Sequence, residues 1–563
     1  MAGVEGRKER WLVLAAWPYV HGVPHLGNLI GSILSADVAA RYLRMKGAEV
    51  VFVSGSDMHG TPIEVEALKL GVKPEELAER NHERIKKLFE RWNISFDNYS
   101  KTESETHKRF VREFYEKVYK NGYVFEDVVQ LYYCPKDQLF LPDRFVTGTC
   151  PYCGYEKAYG DQCENCGRLL EPTLLLNPRC SICGSKPVLK TTKHWFFDLP
   201  KLQRALEEYI SGNEHLPPNA RNMSLQILKE GLKPRALTRD NRWGIPAPFP
   251  GAEGKTIYVW MEAVLGYISA TIEYFEARGE PERWKEFWLD PSTKSVYFIG
   301  KDNIPFHTLI LPALLIASGE GYVLPWTVAS TEYLLFRGLK FSKSKRVGVW
   351  IDEALEVFPV DYWRFALIAL RPELRDTNFT WEEFQRVVNN DLIDNIGNFV
   401  HRVLVLVQRK FEGRAPEPKG EEGRPLLKEL ERRFAEISSS MDAFRFKEAL
   451  SRIVALSSSG NAFLNETKPW ELERDRAAGV VHAALHLVKA LAIMLYPIIP
   501  SSAQRIWELL GYVDSISDHS WSEALEPVPP GQRLPEPKPL FTKISDEDIQ
   551  AAISKIESLR AGS

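Results

Sequence analysis

Cys150, Cys153, Cys163 and Cys166 stand as CxxC, nine residues, CxxC, a spacing that confines the chain between them to a small module closed on itself. Each pair makes a turn that points two thiolates at one place, and four thiolates complete a tetrahedral structural zinc site. The competing reading is four buried free cysteines. Four protein ligands leave no open position, so this zinc is predicted to be structural rather than catalytic. Cys180 and Cys183 form a third pair, and the remaining cysteine, Cys134, is followed by Asp137 as CxxD. Three thiolates and a carboxylate predict a second zinc, nested outside the first, so that the module becomes a pair of interleaved knuckles. Six of seven cysteines in CxxC pairs point to metal binding in a reducing, cytoplasmic setting rather than to disulfides.

All seven cysteines lie between Tyr123 and Arg235, where an alternation of helix and strand patterns stops. Before that stretch, Trp11 to Trp17 is an apolar run and PYVHGVPHLGN supplies turn chemistry. Leu29 to Met45 then has helical spacing ending at Gly47, and Val50 to Ser54 reads as a second strand. Strand, turn, helix and strand in under about fifty residues is a βαβ unit, with its ligand site at the strand's carboxyl end. The α/β pattern resumes with strands predicted at Thr256 to Trp260 and Ser295 to Ile299. The fold class expected is therefore a Rossmann-type, doubly wound parallel sheet split by a zinc-knuckle insertion. From Trp381 onward long amphipathic stretches at Val388 to Phe411, Leu426 to Phe463 and Ala477 to Leu495 predict an all-α bundle.

The expected domains are 1–122 and 236–325 for the two halves of the nucleotide domain, with the insertion at 123–235. A linking domain follows at 326–385, the bundle at 386–540 and a C-terminal helix at 541–563. A hydrophobic share of 44% with 26% charged residues argues against wholesale disorder. A net charge of -3 is not the bulk signature of a nucleic-acid coat, so any polyanion must meet a local patch. The N-terminal MAGVEGRKERWLVL runs straight into a strand pattern without an apolar leader core. The most apolar stretches, Ile304 to Ser318 and Ala483 to Pro500, are broken by His307 and Thr308 or by His486, Lys489 and Pro497. No membrane span is predicted.

Two short strings carry the chemistry: HLGN beginning at His25 and KFSKS beginning at Lys340, 315 residues later. Activating a carboxylic acid with ATP builds negative charge on phosphate oxygens and asks the protein for donors aimed at that charge. A helix N-terminus with His25 and Asn28 one turn apart supplies some. Lys340 and Lys343, on a loop that can close, can neutralise departing pyrophosphate.

With these strings, the WPYVHGVPHLGN segment, the nested cysteine pairs and NETKPW near Trp470, nearly the whole chain resembles the class I aminoacyl-tRNA synthetases, and among them the methionyl-tRNA synthetases. HLGN stands at the family's HIGH motif and KFSKS at its KMSKS motif. Asn28 replaces the second histidine, which keeps a hydrogen-bond donor and removes an acid. Phe341 replaces methionine, a packing change under the loop. The resemblance implies ATP-dependent formation of methionyl-adenylate, then transfer to the 3′-terminal adenosine of tRNA(Met). With no added oligonucleotide-binding or dimerisation module visible after the bundle, a monomer is expected, with a partner in trans left open. The resemblance places His25, Gly27, Asn28, Asp302, Lys340, Ser342 and Lys343 at ATP, with magnesium accompanying the nucleotide, and gives Arg239 a catalytic role. It places Asp57, in GSDMHG, at the ammonium group of methionine. Trp17, Tyr19, Trp260, Ala263, Val264, Tyr267, Phe306 and His307 match the pocket lining, and aromatic edges suit a polarizable thioether. Without the family, Trp260 and Tyr267, seven apart, read equally well as core.

In the bundle, Asn398 and Arg402 share a helix face, Asn395 lies near and Trp470 follows Pro469. Stacking on an aromatic and hydrogen-bonding base edges is how single-stranded RNA loops are read. The resemblance gives these residues the CAU anticodon. The rivals are a synthetase for leucine, isoleucine, valine or cysteine, and a non-catalytic RNA-binding or assembly factor. Discriminating small apolar side chains requires a large editing domain. An insertion of about 110 residues organised around metal favours methionine instead. The lysines of KFSKS disfavour a factor without activity.

Overall fold

The computed structural model describes residues 8–561, apart from 161–162, 164, 167, 169 and 343–346. Its centre is a parallel sheet of five strands: β1 (Arg10–Ala15), β2 (Glu49–Ser56), β3 (Asn98–Lys101), β4 (Lys294–Gly300) and β5 (Thr327–Thr331). Their order is β5-β4-β1-β2-β3, with Val13 beside Val296 on one flank and Phe52 on the other. The chain runs outward from β1 through β2 to β3, then returns to the opposite side of β1 at β4. That reversal opens a crevice at the carboxyl ends of β1 and β4. Strands buried on both faces, such as WLVLA and VYFI, read as continuous apolar runs for this reason.

Between β3 and β4 the chain leaves the sheet. Val124–Cys134 and Val188–Phe197 pair antiparallel over ten residues, flanked by Leu139–Phe140 and Arg235–Ala236. A second small sheet of Ala158–Tyr159, Val146–Thr149 and Leu176–Cys180 sits among the cysteines. The predicted strand at Thr256 to Trp260 is a correction. Only Thr256–Ile257 is extended, and it pairs antiparallel with Thr238–Arg239 outside the parallel sheet. Val259–Ala263 is a short helix. The β-forming run Thr-Ile-Tyr-Val-Trp is overridden because Ile257 and Tyr258 donate to the Ile245 and Leu237 carbonyls, ending the strand in a loop.

The C-terminal half is helical. Trp381–Arg386, a π-helical stretch Val387–Gly397 and Asn398–Phe411 run on as one helix. The expected helix from Leu426 to Phe463 is instead two, Arg424–Asp442 and Phe446–Thr467. They part at Phe444, whose φ of 55° no helix accommodates and whose buried ring meets Trp11 and Phe298 edge-on. Phenylalanine carries no turn signal, so helical spacing hides this break. Arg474–Leu495 is long and apolar enough to cross a membrane, but every residue of its apolar window is buried inside the protein. Among the described residues it is the one such helix.

One buried guanidinium ties these parts together. Arg364, on Val360–Ala369, donates to Asp37 Oδ2 at 2.6 Å, to the Ile498 and Pro497 carbonyls at 2.7 and 3.1 Å, and to Trp92 O at 3.1 Å. Asp37 also accepts from Arg41 at 2.9 Å and from the Ser95 N–H and hydroxyl at 2.7 Å. Burial alone would raise the Asp37 carboxyl, yet the two guanidiniums and Ser95 hold it down to about 2. Removing one member of a buried pair leaves the other uncompensated. Arg364→Ala is expected to destabilise the protein by roughly 3–5 kcal/mol, seen as a large fall in Tm; an unchanged Tm would contradict the role given to this contact.

Candidate active site

HLGN lies where β1 ends. His25 is the N-cap of a continuous helix made of Leu26–Asn28, a π-helical stretch Leu29–Ile33 and Leu34–Met45. The bonds are reciprocal: Asn28 N–H donates to His25 Nδ1 and His25 N–H to Asn28 Oδ1, both at 3.2 Å. Each side chain therefore spends its acceptor on the other's backbone. Burial lowers the His25 imidazole to about 4, so the ring is neutral near pH 7. A neutral ring accepting at Nδ1 carries its proton on Nε2. What remains to face a ligand is the Nε2–H of His25 and the amide N–H groups of Asn28, all donors, at the positive end of a helix. Gly27 fits tightly here, since a Cβ would stand 3.1 Å from the His25 ring.

The KFSKS segment comes to this point. Phe341 stacks on the His25 ring with centroids 4.5 Å apart and planes 15° from parallel. Just after the segment, Val349 O accepts from Leu26 N–H at 3.1 Å and Trp350 pairs with His25 in an antiparallel bridge. Ser342 pairs with Val347 by two backbone bonds of 2.9 Å. Lys340 lies 4.4 Å above the Tyr333 ring, and the Tyr333 hydroxyl donates to Asp302. Asp302 itself follows the end of β4. Lys343 lies outside the described residues.

The other predicted residues gather beside β2. Asp57 exchanges backbone bonds with the chain beside Tyr19, accepting from Val20 N–H at 3.1 Å and donating to Pro18 O at 2.9 Å. The Tyr19 hydroxyl accepts from the Trp260 indole, and Trp260 meets Phe306 edge-on at 4.7 Å. The Tyr267 hydroxyl donates to His307 Nε2 at 2.8 Å, while His307 Nδ1 donates to Asn303 O at 2.9 Å. Burial lowers His307 to about 4, keeping it neutral. Trp17 lies in a slot made by two glycines: a Cβ on Gly55 or Gly266 would come within 2.6 Å of its ring. Ala263 and Val264 close the short helix that carries Trp260. Arg239 stacks 3.8 Å from the Tyr258 ring, whose neighbour is Trp260.

Asp57 is only 3% exposed, and its Oδ1 has no hydrogen-bond partner. Burial, then the nearby Glu262 carboxylate, pushes its carboxyl well above the usual range. An arriving cation would reverse that. Sequence reasoning missed the network behind it: His59 Nδ1 lies 2.5 Å from Glu262, and Nε2 2.6 Å from Glu103. Burial opposes charge on His59, but the two carboxylates lift it to about 10. His59 stands two residues from Asp57 in GSDMHG, a visible signal, whereas Glu262 and Glu103 gave none.

The cysteines form two clusters of four ligand atoms, each with all atoms within 4.8 Å of one another: Cys150, Cys153, Cys163 and Cys166, and Cys134, Asp137, Cys180 and Cys183. Sulfurs of Cys150 and Cys166 are 3.9 Å apart, those of Cys153 and Cys163 3.6 Å, and those of Cys134 and Cys183 3.5 Å. Four Zn–S bonds of about 2.3 Å in a tetrahedron put sulfurs roughly 3.8 Å apart, so both clusters fit zinc. In the bundle, Arg402 donates to Asn461 and Asn465 at 3.1 and 2.7 Å and lies 5.9 Å from the Trp470 ring, which is 45% exposed. Asn395 donates to Ser458 at 2.7 Å, and Asn398 is exposed on the same helix. Asn461, which no sequence signal singled out, and Asn465, the first residue of NETKPW, join this group.

The state of His25 can be measured directly. In an NMR titration its ring is expected to stay the neutral Nε2–H tautomer until a midpoint near 4; a midpoint near 6.5 would contradict the burial described.

Residues 11–404 match the family described as tRNA synthetases class I (M), and residues 415–561 match the anticodon binding domain of methionyl tRNA ligase. The chain is 75% identical over 556 residues to a methionine–tRNA ligase of Thermofilum pendens, covering 98% of each chain. It is 54% identical over 557 residues to one of Pyrobaculum aerophilum, covering 98% of this chain and 97% of that one. Among solved structures, Mycobacterium tuberculosis methionyl-tRNA synthetase in complex with methionyl-adenylate shares its fold, with a TM-score of 0.78 at 23% identity over 95% of this chain and 100% of that one. The chain belongs to the methionyl-tRNA synthetases, the methionine–tRNA ligases among the class I aminoacyl-tRNA synthetases.

Proposed function

We propose that the crevice between β1 and β4 carries out both steps of methionine–tRNA ligation with the residues assembled there. Methionine's carboxylate oxygen attacks the α-phosphorus of ATP, the bond to the β-phosphate breaks, and methionyl-adenylate and pyrophosphate result. A hydroxyl of the 3′-terminal adenosine of tRNA(Met) then attacks the methionyl carbonyl and AMP leaves. His25, Asn28 and the backbone at Gly27 donate to phosphate oxygens as charge builds on them. Lys340 and Lys343 balance the leaving pyrophosphate, Ser342 and Asp302 hold the nucleotide, and magnesium enters with ATP. Arg239 adds positive charge beside the pocket.

The reading rests above all on Asp57, a buried carboxylate with one unpaired oxygen beside aromatic side chains. A methionine ammonium supplies the missing partner, while Trp17, Tyr19, Trp260, Ala263, Val264, Tyr267, Phe306 and His307 surround the thioether. Exchange of labelled pyrophosphate into ATP tests this, with methionine against leucine, valine and cysteine. Methionine alone should support exchange. Asp57→Asn should raise the methionine KM at least about 30-fold, the equivalent of roughly 2 kcal/mol, with little effect on the ATP KM. Equal loss of both would contradict the assignment.

In the bundle, Asn395, Asn398, Arg402 and Trp470 read the anticodon by stacking and base-edge hydrogen bonds. Cys150, Cys153, Cys163 and Cys166 hold one structural zinc, and Cys134, Asp137, Cys180 and Cys183 a second. A closed tetrahedral zinc supplies cross-links and no reaction step. Cysteines committed to metal rather than to disulfides suit a reducing, cytoplasmic location. Elemental analysis should find two zinc ions per chain and one in Cys134→Ser; one ion in the unaltered protein would remove the second site.

A further inference from the structure

KFSKS carries phenylalanine at position 341, and the surroundings of that ring are specific. Its face lies on the His25 imidazole, 4.5 Å away and 15° from parallel. Phe336 meets it edge-on at 6.0 Å. Toward Gly27 the space ends at once, since a Cβ there would touch Phe341 Cδ2 at 3.5 Å. On another side stands Gly348 at φ 129°, where any Cβ would overlap the Phe341 ring. The ring thus fills a slot built from two stretches more than three hundred residues apart.

The walls of the slot are themselves held. Ser342 and Val347 close a backbone pair beneath the segment, and Leu26 N–H donates to Val349 O at 3.1 Å. Arg560, from the C-terminal helix Asp546–Ala561, donates to Gly348 O at 2.7 Å and forms an ion pair with Glu353 at 2.6 Å. A phenyl ring with two side-chain torsions keeps one face on the imidazole, whereas a flexible thioether would sample several packings.

We infer that Phe341 is a positioning residue: its stack on His25 docks the stem of the KFSKS segment on the helix N-terminus and aims the imidazole Nε2–H at the triphosphate. The inference rests on the ATP-site reading proposed above. It explains how two motifs so far apart in sequence keep one geometry. The ring also covers one face of His25, and burial alone, among the described residues, keeps that imidazole from charging near neutrality.

The test uses the full chain carrying Phe341→Ala, Phe341→Leu, Phe341→Tyr or His25→Ala, read by methionine-dependent pyrophosphate exchange and by NMR titration of His25. Phe341→Ala should lower kcat for exchange by roughly three- to tenfold, the range of one aromatic stack, with the methionine KM unchanged. Its His25 midpoint should move up from about 4 toward the ordinary value. Phe341→Leu, which keeps apolar bulk, should show the same kcat loss and decides the matter if the alanine variant does not fold. Phe341→Tyr, which keeps the flat ring, should exchange at the unaltered rate. Alanine and leucine variants with unaltered exchange, or an alanine variant with slower exchange and an unmoved His25 midpoint, would overturn the inference. If His25→Ala abolishes exchange while the Phe341 variants are normal, only this inference fails; if His25→Ala exchanges normally, the ATP-site reading fails with it.

Discussion

The reciprocal bonds between His25 and Asn28 fix the site's chemistry. A helix that starts at the carboxyl end of β1 presents backbone N–H groups needing partners. Here two side chains satisfy part of that need and in doing so spend their acceptors on backbone. Only donors are left pointing outward. A histidine buried enough to stay neutral adds a proton on Nε2 without adding a charge. The same few bonds therefore start the helix, orient the ring that Phe341 covers, and leave a surface suited to anions.

Around that point the molecule arranges opposite electrostatics for two ligands. The side proposed for the nucleotide gathers the His25 and Asn28 donors and Lys340, while the group beside β2 ends in a buried carboxylate kept short of one partner. His59, held between Glu262 and Glu103, balances acidic charge nearby without meeting Asp57's open oxygen. On the proposed reading, an amino acid, cationic at one end and nucleophilic at the other, matches these two environments in a single orientation. Arg364 keeps the helices that carry this machinery in register with the bundle, because its donors reach carbonyls from both.

Much of this was legible in the chain. The βαβ unit at the N-terminus, the cysteine spacing and the long amphipathic stretches each have a local periodicity, and the fold follows them. The Thr256–Trp260 segment misled because β-propensity describes a fit to a pleated surface, and the surrounding loop took its backbone bonds instead. The break at Phe444 left no trace because a buried aromatic fits both a helix and a turn. Within the site, HLGN, KFSKS and GSDMHG announced themselves as strings. Glu262, Glu103, Gly55 and Gly266 did not, since their significance lies in what approaches from distant parts of the chain. Asn461 was hidden likewise, being a partner of Arg402 from another helix.

A double-mutant cycle between His25→Ala and Lys340→Ala, measured as kcat/KM for ATP in pyrophosphate exchange, tests most directly whether one triphosphate is held by both strings. Groups acting on the same charge should be non-additive, with a coupling of about 0.5–3 kcal/mol. Strict additivity would place the two residues at independent sites and contradict the account.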